Sequence, residues 1–417
     1  MSFIKSLKCI DCGKEYSPED LIAACTECGQ KGLGFGLLDP VCNYDKIGKQ
    51  VNRNILENRK PSLWKYKEFL PISDESKIVS LDEGGTPLIK CQSLTGETGI
   101  KNLYVKNETV NPTSSFKDRA FSVIISRALE RGASTVAAVS DGNAGASASA
   151  YSARAGIACY IFTPAFAVQS KIIQMSMYGA RVISVKGSLI ATGMLVLGAC
   201  IKYGWFNITT AKVLNPYQTE GHKTLAYEIC EQLNWQAPDW VIAPVSSGDS
   251  LGAIWKGFKE FYALGFIKNL PRMVGVQGEG ADPLVKAFDE KKQFYEIEEF
   301  EPVTIADALC IGRVLGSWPL NALNESNGYA VAVSDKEILE AQKSLAAKEG
   351  IFVEPSSATT IAALKKLLSR RVINRNESVV CVTTGSGLKV LGVAAQVYAK
   401  PVQIEPSMSE LEKVLSK

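Results

Sequence analysis

The sequence predicts an α/β protein built as two domains that share a cleft, and three observations carry that prediction. At 417 residues the chain exceeds what one hydrophobic core usually fills. From about residue 81 onward, apolar strand-like runs alternate with helical stretches, the pattern that yields parallel sheets covered by helices. Small-residue loops follow several of these runs, and in such sheets ligands bind beyond the carboxyl ends of the strands.

Taken in order, residues 1–48 stand apart: they carry cysteine pairs and glycines with little helical periodicity, and are expected to form a separate small module. Residues 49–80 are charged and Pro-containing, which suits an arm crossing the main body. Strands are expected at 135–139, 158–162, 180–185, 240–243, 273–277 and 379–383, and helices at 118–131, 145–155, 219–233, 251–264, 335–349 and 356–367. The expected division is a large α/β domain from 49–115 and 210–400, a small α/β domain at 116–209, and a tail at 401–417. There is no internal repeat and no low-complexity segment.

Composition narrows the class. Hydrophobic residues make up 46% and charged residues 21%, with 34 glycines, as in packed α/β enzymes and unlike disordered or fibrous chains. A net charge of +3 gives no field for neutralising nucleic-acid phosphates. The longest apolar runs, such as 194–200, fall far short of a membrane span, and no charged start leads into an apolar stretch, so the expected place is the cytoplasm. The 11 cysteines are an odd number, and those at 159, 200, 230 and 381 sit singly in apolar strings, as reduced thiols do. The sole histidine, His222, excludes a mechanism that needs several imidazoles; at the start of a helix, it is expected at the surface or an interface.

The chemistry-bearing residues begin with Asn111-Pro-Thr-Ser-Ser-Phe-Lys117-Asp-Arg119, which sets a lysine at the start of a helix behind a Pro-containing turn. A positive helix end lowers a lysine pKa and favours the neutral amine that imine chemistry requires. Alone, such a lysine is better explained as solvated. The glycine-containing loops change that balance. Ser140-Asp-Gly-Asn143-Ala-Gly145 follows one strand and opens a helix; Ser246-Ser247-Gly248-Asp249-Ser250 repeats the arrangement after Pro244; Thr383-Thr384-Gly-Ser-Gly387 follows a late strand. Amides and hydroxyls at the second of these helix starts form an anion cradle suited to a cofactor phosphate.

With these segments in view, the chain resembles threonine synthases and their relatives among the tryptophan-synthase-β-like enzymes that use pyridoxal 5′-phosphate (PLP). The likeness runs from about residue 5 to 400 and rests on Glu83-Gly-Gly-Thr-Pro-Leu88, the segments at 111–119 and 140–145, Asn215-Pro-Tyr-Gln-Thr-Glu-Gly221, and the stretches 251–259, 350–356 and 381–389, in the family's order. The resemblance implies a tryptophan-synthase-β-like fold with PLP between two α/β domains. It implies Lys117 as the Schiff-base lysine with Phe116 beside it, Asn143 on the cofactor's 3′-oxygen, Ser246, Ser247, Gly248, Asp249 and Ser250 on its phosphate, and Thr384 facing the pyridine nitrogen. A hydroxyl cannot keep that nitrogen protonated as a carboxylate would, so the site leans toward elimination or replacement.

The implied reaction converts O-phospho-L-homoserine and water to L-threonine and phosphate. Candidates for the substrate are Ser114, Ser115, Ser140, Asp141, Arg154, Ser170 and Lys171. The expected assembly is a homodimer. Four features depart from the family's usual pattern: Ser114 replaces a glycine, Asp141 replaces a small hydroxyl residue where the substrate carboxylate is received, the 246–250 loop carries less glycine and asparagine, and Ser386-Gly-Leu-Lys-Val390 stands where His-Gly-Leu-Lys-Asp is common. Two other readings therefore stay open here: a specialised PLP-dependent β- or γ-replacement or elimination enzyme acting on a modified amino acid, and a non-catalytic PLP-binding regulatory protein.

The N-terminal module carries Cys9-Ile-Asp-Cys12-Gly and Cys25-Thr-Glu-Cys28-Gly, two C-x-x-C knuckles separated by twelve residues. Four thiolates so spaced suit tetrahedral Zn2+ in a zinc-ribbon-like module, and the metal would be structural, with no fourth position open to water. A degenerate ribbon kept for packing gives the same spacing.

Overall fold

In the computed structural model, residues 3–416 are described except 21, 166, 399 and 400. Three sheets organise the chain. Strands β1 (Ile4–Cys9), β2 (Glu15–Tyr16) and β3 (Leu38–Cys42) form an antiparallel sheet in the order β2-β1-β3. The largest sheet combines β4 (Leu88–Lys90) and β5 (Asn102–Asn107) with four later strands named below. Between these two parts of the chain comes a second sheet, from β6 (Thr135–Val139), β7 (Ala158–Pro164), β8 (Arg181–Val185) and β9 (Phe206–Asn207), parallel throughout in the order β8-β7-β6-β9. Strands β10 (Trp240–Pro244), β11 (Arg272–Gly278), β12 (Tyr329–Val333) and β13 (Ser378–Thr383) complete the six-stranded sheet in the order β12-β11-β10-β13-β5-β4. Only β4 runs antiparallel in it.

The six expected strands all form, within two residues of the expected ends. They are legible because β6, β7, β10, β11 and β13 lie between helical layers and are buried almost throughout, giving near-continuous apolar runs. The six expected helices form as well. The helix expected at 219–233 is shortened to Thr224–Gln232, with a separate 3-10 turn at Gln218–Glu220. The boundaries of Asp335–Glu349 follow from capping: Ser334 and Glu337 form a reciprocal capping box, and Gly350 closes the far end at φ 70°. Helices Gln169–Met177, Leu189–Tyr203, Pro283–Asp289 and Trp318–Glu325 lie outside the sequence expectation. Among the described residues, no helix is long and apolar enough to cross a membrane.

A buried charge network ties the two larger sheets together. Arg119, on the first turn of helix Lys117–Glu130, donates to Glu108 (Nε–Oε2 2.7 Å) and to Glu228 (Nη1–Oε1 2.6 Å and Nη2–Oε2 2.8 Å). Lys106 of β5 donates to the same Glu228 at 2.6 Å and to the carbonyl of Thr86 at 2.6 Å. All four charged groups are buried, two of each sign. Glu228 Oε1 also accepts from the amide of Gly85 at 2.8 Å, while Gly84 packs so closely that a Cβ would meet the backbone nitrogen of Leu63 at 2.5 Å. The Glu83-Gly-Gly-Thr86 motif therefore serves as a backbone seat for this network. Both basic partners hold the Glu228 carboxyl well below its ordinary pKa against the opposing effect of burial.

Removing Glu228 leaves two buried cations with one remaining counter-ion. Glu228→Ala is expected to cost about 3–5 kcal/mol of stability, read as a lower urea midpoint; a loss under about 1 kcal/mol would show that the network carries little.

Candidate active site

The site forms where the carboxyl ends of β6, β10 and β13 face the helix that starts at Lys117. The 113–119 segment is stitched to the loop after β13 by backbone hydrogen bonds: Phe116 N to Thr384 O at 2.8 Å and Ser386 N to Ser114 O at 3.0 Å. Ser114 turns the chain with φ 63°. Few side-chain-bearing residues adopt that region, which accounts for the glycine usual at this position in the family it resembles.

Lys117 is half-buried by surface area but enclosed by protein on a wider scale, so the surface it exposes is that of the cleft. Among the described residues its amine makes no hydrogen bond or ion pair, and it lies 4.8 Å from the Phe116 ring centroid. Burial lowers its pKa, only partly offset by the charges of Asp249, Glu354 and Asp141.

Facing it, Ser140 Oγ accepts from the amides of Gly142 (3.2 Å) and Gly145 (2.8 Å) and shapes the loop that opens helix Asn143–Ala155. Asn143 Nδ2 donates to both oxygens of Glu354 at 3.0 Å, while its Oδ1 is buried with no partner. Thr384 Oγ1 lies 2.9 Å from Ser357 Oγ, and that same hydroxyl accepts from the amides of Thr384 and Gly385 at 2.8 Å. Beyond β10, Gly248 at φ 102° caps helix Asp249–Ala263 and follows the Ser246–Ser247 loop; a Cβ there would strike Pro319 Cγ at 2.3 Å.

Three expectations change here. The Asp249 carboxylate, expected at the cofactor phosphate, is instead engaged by Lys212 N (2.9 Å) and Gln218 Nε2 (3.4 Å). Arg154 sits exposed near the far end of helix Asn143–Ala155, roughly 16 Å along the axis from Asn143 at 1.5 Å per residue, and does not join the cluster. His222, expected at the surface or an interface, is buried, has no partner for either ring nitrogen among the described residues, and stacks on Phe116 at 4.6 Å. Burial and the adjacent Lys117 and Arg119 keep its pKa well below normal, so the imidazole is neutral.

Toward the substrate side, Lys171 pairs with Asp307 at 2.5 Å and lies over Gly142, whose Cβ position is 3.5 Å from its Nζ. Asp141 is half-buried, and burial raises its pKa. Ser115 is buried with its hydroxyl unpartnered, while Ser170 Oγ donates to the carbonyl of Lys389 at 2.7 Å. Lys389 donates to Thr113 O and Gln174 Oε1, both at 2.7 Å, and burial lowers its pKa to about 8. Glu354, Lys389 and Asp307 were given no role from sequence. The available signal was a lone carboxylate and a lone ammonium inside otherwise apolar or small-residue stretches.

In the N-terminal module, the sulfurs of Cys9, Cys12, Cys25 and Cys28 all lie within 4.8 Å of one another, and three of these residues are buried. Tyr16 Oη donates to Cys25 Sγ at 3.1 Å.

An enclosed, unpaired lysine amine, an orphaned Asn143 oxygen and a helix-capping amide cradle together fit a phosphorylated aromatic aldehyde such as PLP. The profile of the family described as "Pyridoxal-phosphate dependent enzyme" matches residues 79–385. The chain belongs to that family. It is 48% identical over 412 residues to a threonine synthase of Methanocaldococcus jannaschii, covering 98% of each chain, and 41% identical over 411 residues to one of Methanosarcina acetivorans, again covering 98% of each. Within the family it therefore falls among the threonine synthases. Among solved structures, maize serine racemase matches with a TM-score of 0.65 at 22% identity over 75% of this chain and 91% of that one. The processed form of threonine deaminase isoform 2 from Solanum lycopersicum matches with a TM-score of 0.65 at 21% identity over 82% and 96%. These two likenesses are of fold.

Two measurements check the local geometry. Replacing Ser114 by glycine is expected to stabilise the protein by roughly 1 kcal/mol by removing the left-handed strain, seen as a raised urea midpoint at unchanged slope; an unchanged or lower midpoint would refute the strain. For Lys389, the folded pKa of about 8 lies below that of an exposed lysine. Between these values the unfolded chain binds more protons, so stability rises with pH across that window, by up to about 1.4 kcal/mol per pH unit from this group. Lys389→Met is expected to flatten the rise in urea unfolding followed across the window; an unaltered slope would assign it to other groups.

Proposed function

We propose that this PLP-dependent lyase converts O-phospho-L-homoserine and water to L-threonine and phosphate. The observation that carries the reading is the Lys117 amine, its pKa lowered by burial and without a partner among the described residues, at a helix start whose Phe116 amide is bonded to the carbonyl of Thr384. PLP, when bound, supplies a ring that delocalises the charge left when the substrate's α-proton departs.

The residues of the chain divide the remaining work. Lys117 holds the cofactor and, once released, is placed to take the α-proton and return it at neighbouring carbons. Asn143, oriented by Glu354, would hold the ring's 3′-oxygen. Thr384, oriented by Ser357, would offer the ring nitrogen a hydroxyl, which cannot keep it protonated as a carboxylate would, and so would favour elimination. The Ser246–Gly248 amides and the start of helix Asp249–Ala263 take the cofactor phosphate. Ser140 and the amides of its loop receive the substrate carboxylate; burial raises the pKa of the neighbouring Asp141, which weakens the repulsion an anion there exerts. Ser114, Ser115, Lys171 and Lys389 surround the space for the second phosphate, the two lysines supplying the charge that a departing phosphate requires.

The chain divides for this task into a ribbon at 1–48 that holds zinc at its four cysteines, a large domain from 49–115 and 210–400, a small domain at 116–209 and a tail at 401–417. The assembly is read as a homodimer, to be checked by sedimentation, and the compartment as the cytoplasm, in keeping with 11 free cysteines.

The test is release of phosphate and formation of threonine from O-phospho-L-homoserine. Lys117→Ala is expected to lower both by roughly a thousandfold or more and to abolish the protein-bound colour of the cofactor. Intact protein, fully loaded with cofactor, that released no phosphate would remove this substrate assignment.

A further inference from the structure

The N-terminal ribbon is wired to the cofactor cradle through one carboxylate. Cys9, at the end of β1, pairs in register with Leu38 of β3, and the next residue of β3 is Asp39. Asp39 reaches out of the ribbon to accept from Lys212 Nζ and Lys256 Nζ, each at 3.0 Å. The backbone amide of Lys212 in turn donates to Asp249 Oδ2 at 2.9 Å, fixing the first residue of the helix behind the Ser246–Gly248 loop. Lys256 continues to Glu220 at 2.7 Å, two residues before His222, which stacks on Phe116 beside Lys117. On its other face the ribbon places Leu7, Cys9 and Leu38 in one apolar cluster with Phe121, Ile124 and Ile125 of the helix that begins at Lys117.

A sheet of 6, 2 and 5 residues buries too little to hold its own register, so something must fix β1 against β3. The cysteine cluster can do this. Cys12 Sγ lies 3.8 Å from Cys25 Sγ, close to the edge of a tetrahedron whose centre is about 2.3 Å from each sulfur, the usual zinc–thiolate distance. The amide of Cys28 points at Cys25 Sγ from 3.5 Å, as in a metal knuckle. Among the described residues no other group of three or more histidines, cysteines or carboxylates is arranged for a metal.

We propose that zinc at Cys9, Cys12, Cys25 and Cys28 fixes Asp39, and that Asp39 acts as a positioning residue for the cofactor-phosphate cradle through Lys212. This rests on the reading of the 246–250 loop as that cradle and of the cluster as a zinc site. Metal loss then weakens cofactor retention without any change in the residues that touch the cofactor. Zinc displaces protons from its thiol ligands as it binds, so its hold on the ribbon weakens in acid.

The experiment uses the full-length enzyme, with zinc by elemental analysis and the PLP dissociation constant by titration of its absorbance. The unaltered chain is expected to carry a single zinc. Asp39→Asn is expected to keep the metal and the folding transition but to bind PLP about tenfold or more weakly, the worth of a hydrogen bond to a charged group. Chelating the zinc from folded enzyme is expected to cause a loss of the same order, restored by zinc. If Asp39→Asn is insoluble, Lys212→Met probes the same link, since it keeps the amide to Asp249 and removes the ammonium. Unchanged PLP affinity in metal-free enzyme or in either variant would overturn the coupling. A zinc-free unaltered chain would overturn the metal site, and an unaltered chain with zinc but no PLP uptake would instead sink the cradle assignment.

Discussion

The structure depends on one buried guanidinium. Arg119 stands two residues after Lys117 and is pinned by two carboxylates, Glu108 from the turn just after β5 and Glu228 from helix Thr224–Gln232. These partners come from the large-sheet side, whereas the helix bearing Arg119 packs its apolar face with the second sheet. A planar, always-charged fork is suited to this place, because it can satisfy two carboxylates in fixed directions while staying dry. Without it, the start of the helix would lose its orientation to the cleft, and the lysine would lose its place with it.

The same economy governs the cleft. Charged groups there are enclosed and several are answered locally, Lys171 by Asp307 and Glu354 by Asn143, whereas the Lys117 amine has no hydrogen-bond or ion-pair partner among the described residues. Burial without compensation is what lowers an amine's pKa. The energetic penalty of leaving it unpaired is borne by a scaffold whose backbone is cross-linked at Phe116–Thr384 and Ser114–Ser386. The positive φ at Ser114 belongs to that cross-link: the carbonyl it directs toward Ser386 is part of the seam.

Much of the fold was legible in the sequence because strands buried on both faces carry long apolar runs, and because the loops after β6, β10 and β13 combine glycine with hydroxyl residues. Strand β5 was not, since Lys106 and Asn107 interrupt its pattern; both are buried because Glu228 lies within reach of the first and the Asn107 side chain caps the turn that follows. The cofactor side of the site was readable from motif order. Its support was not: Glu354 was visible as a letter in a motif, but only folding brings it to Asn143, 211 residues away. His222 was misplaced for a similar reason. A Cβ on the preceding Gly221 would lie 1.9 Å from the carbonyl oxygen of Arg119, so its burial is a product of two segments in backbone contact, which no local pattern records.

The sheet order has a consequence for biogenesis. The second sheet, β6 to β9, is inserted between the first and last strands of the six-stranded one, so contacts around Lys117 close very late: Lys389 meets Thr113 across 276 residues of chain. On the ribosome, the lysine-bearing helix emerges long before the β13 loop that completes its surroundings, and its reactive amine waits in an unfinished setting until the carboxyl-terminal third has been made. Vitamin capture is thus a terminal event of folding, and a nascent fragment ending short of the last strand has no assembled place to keep it.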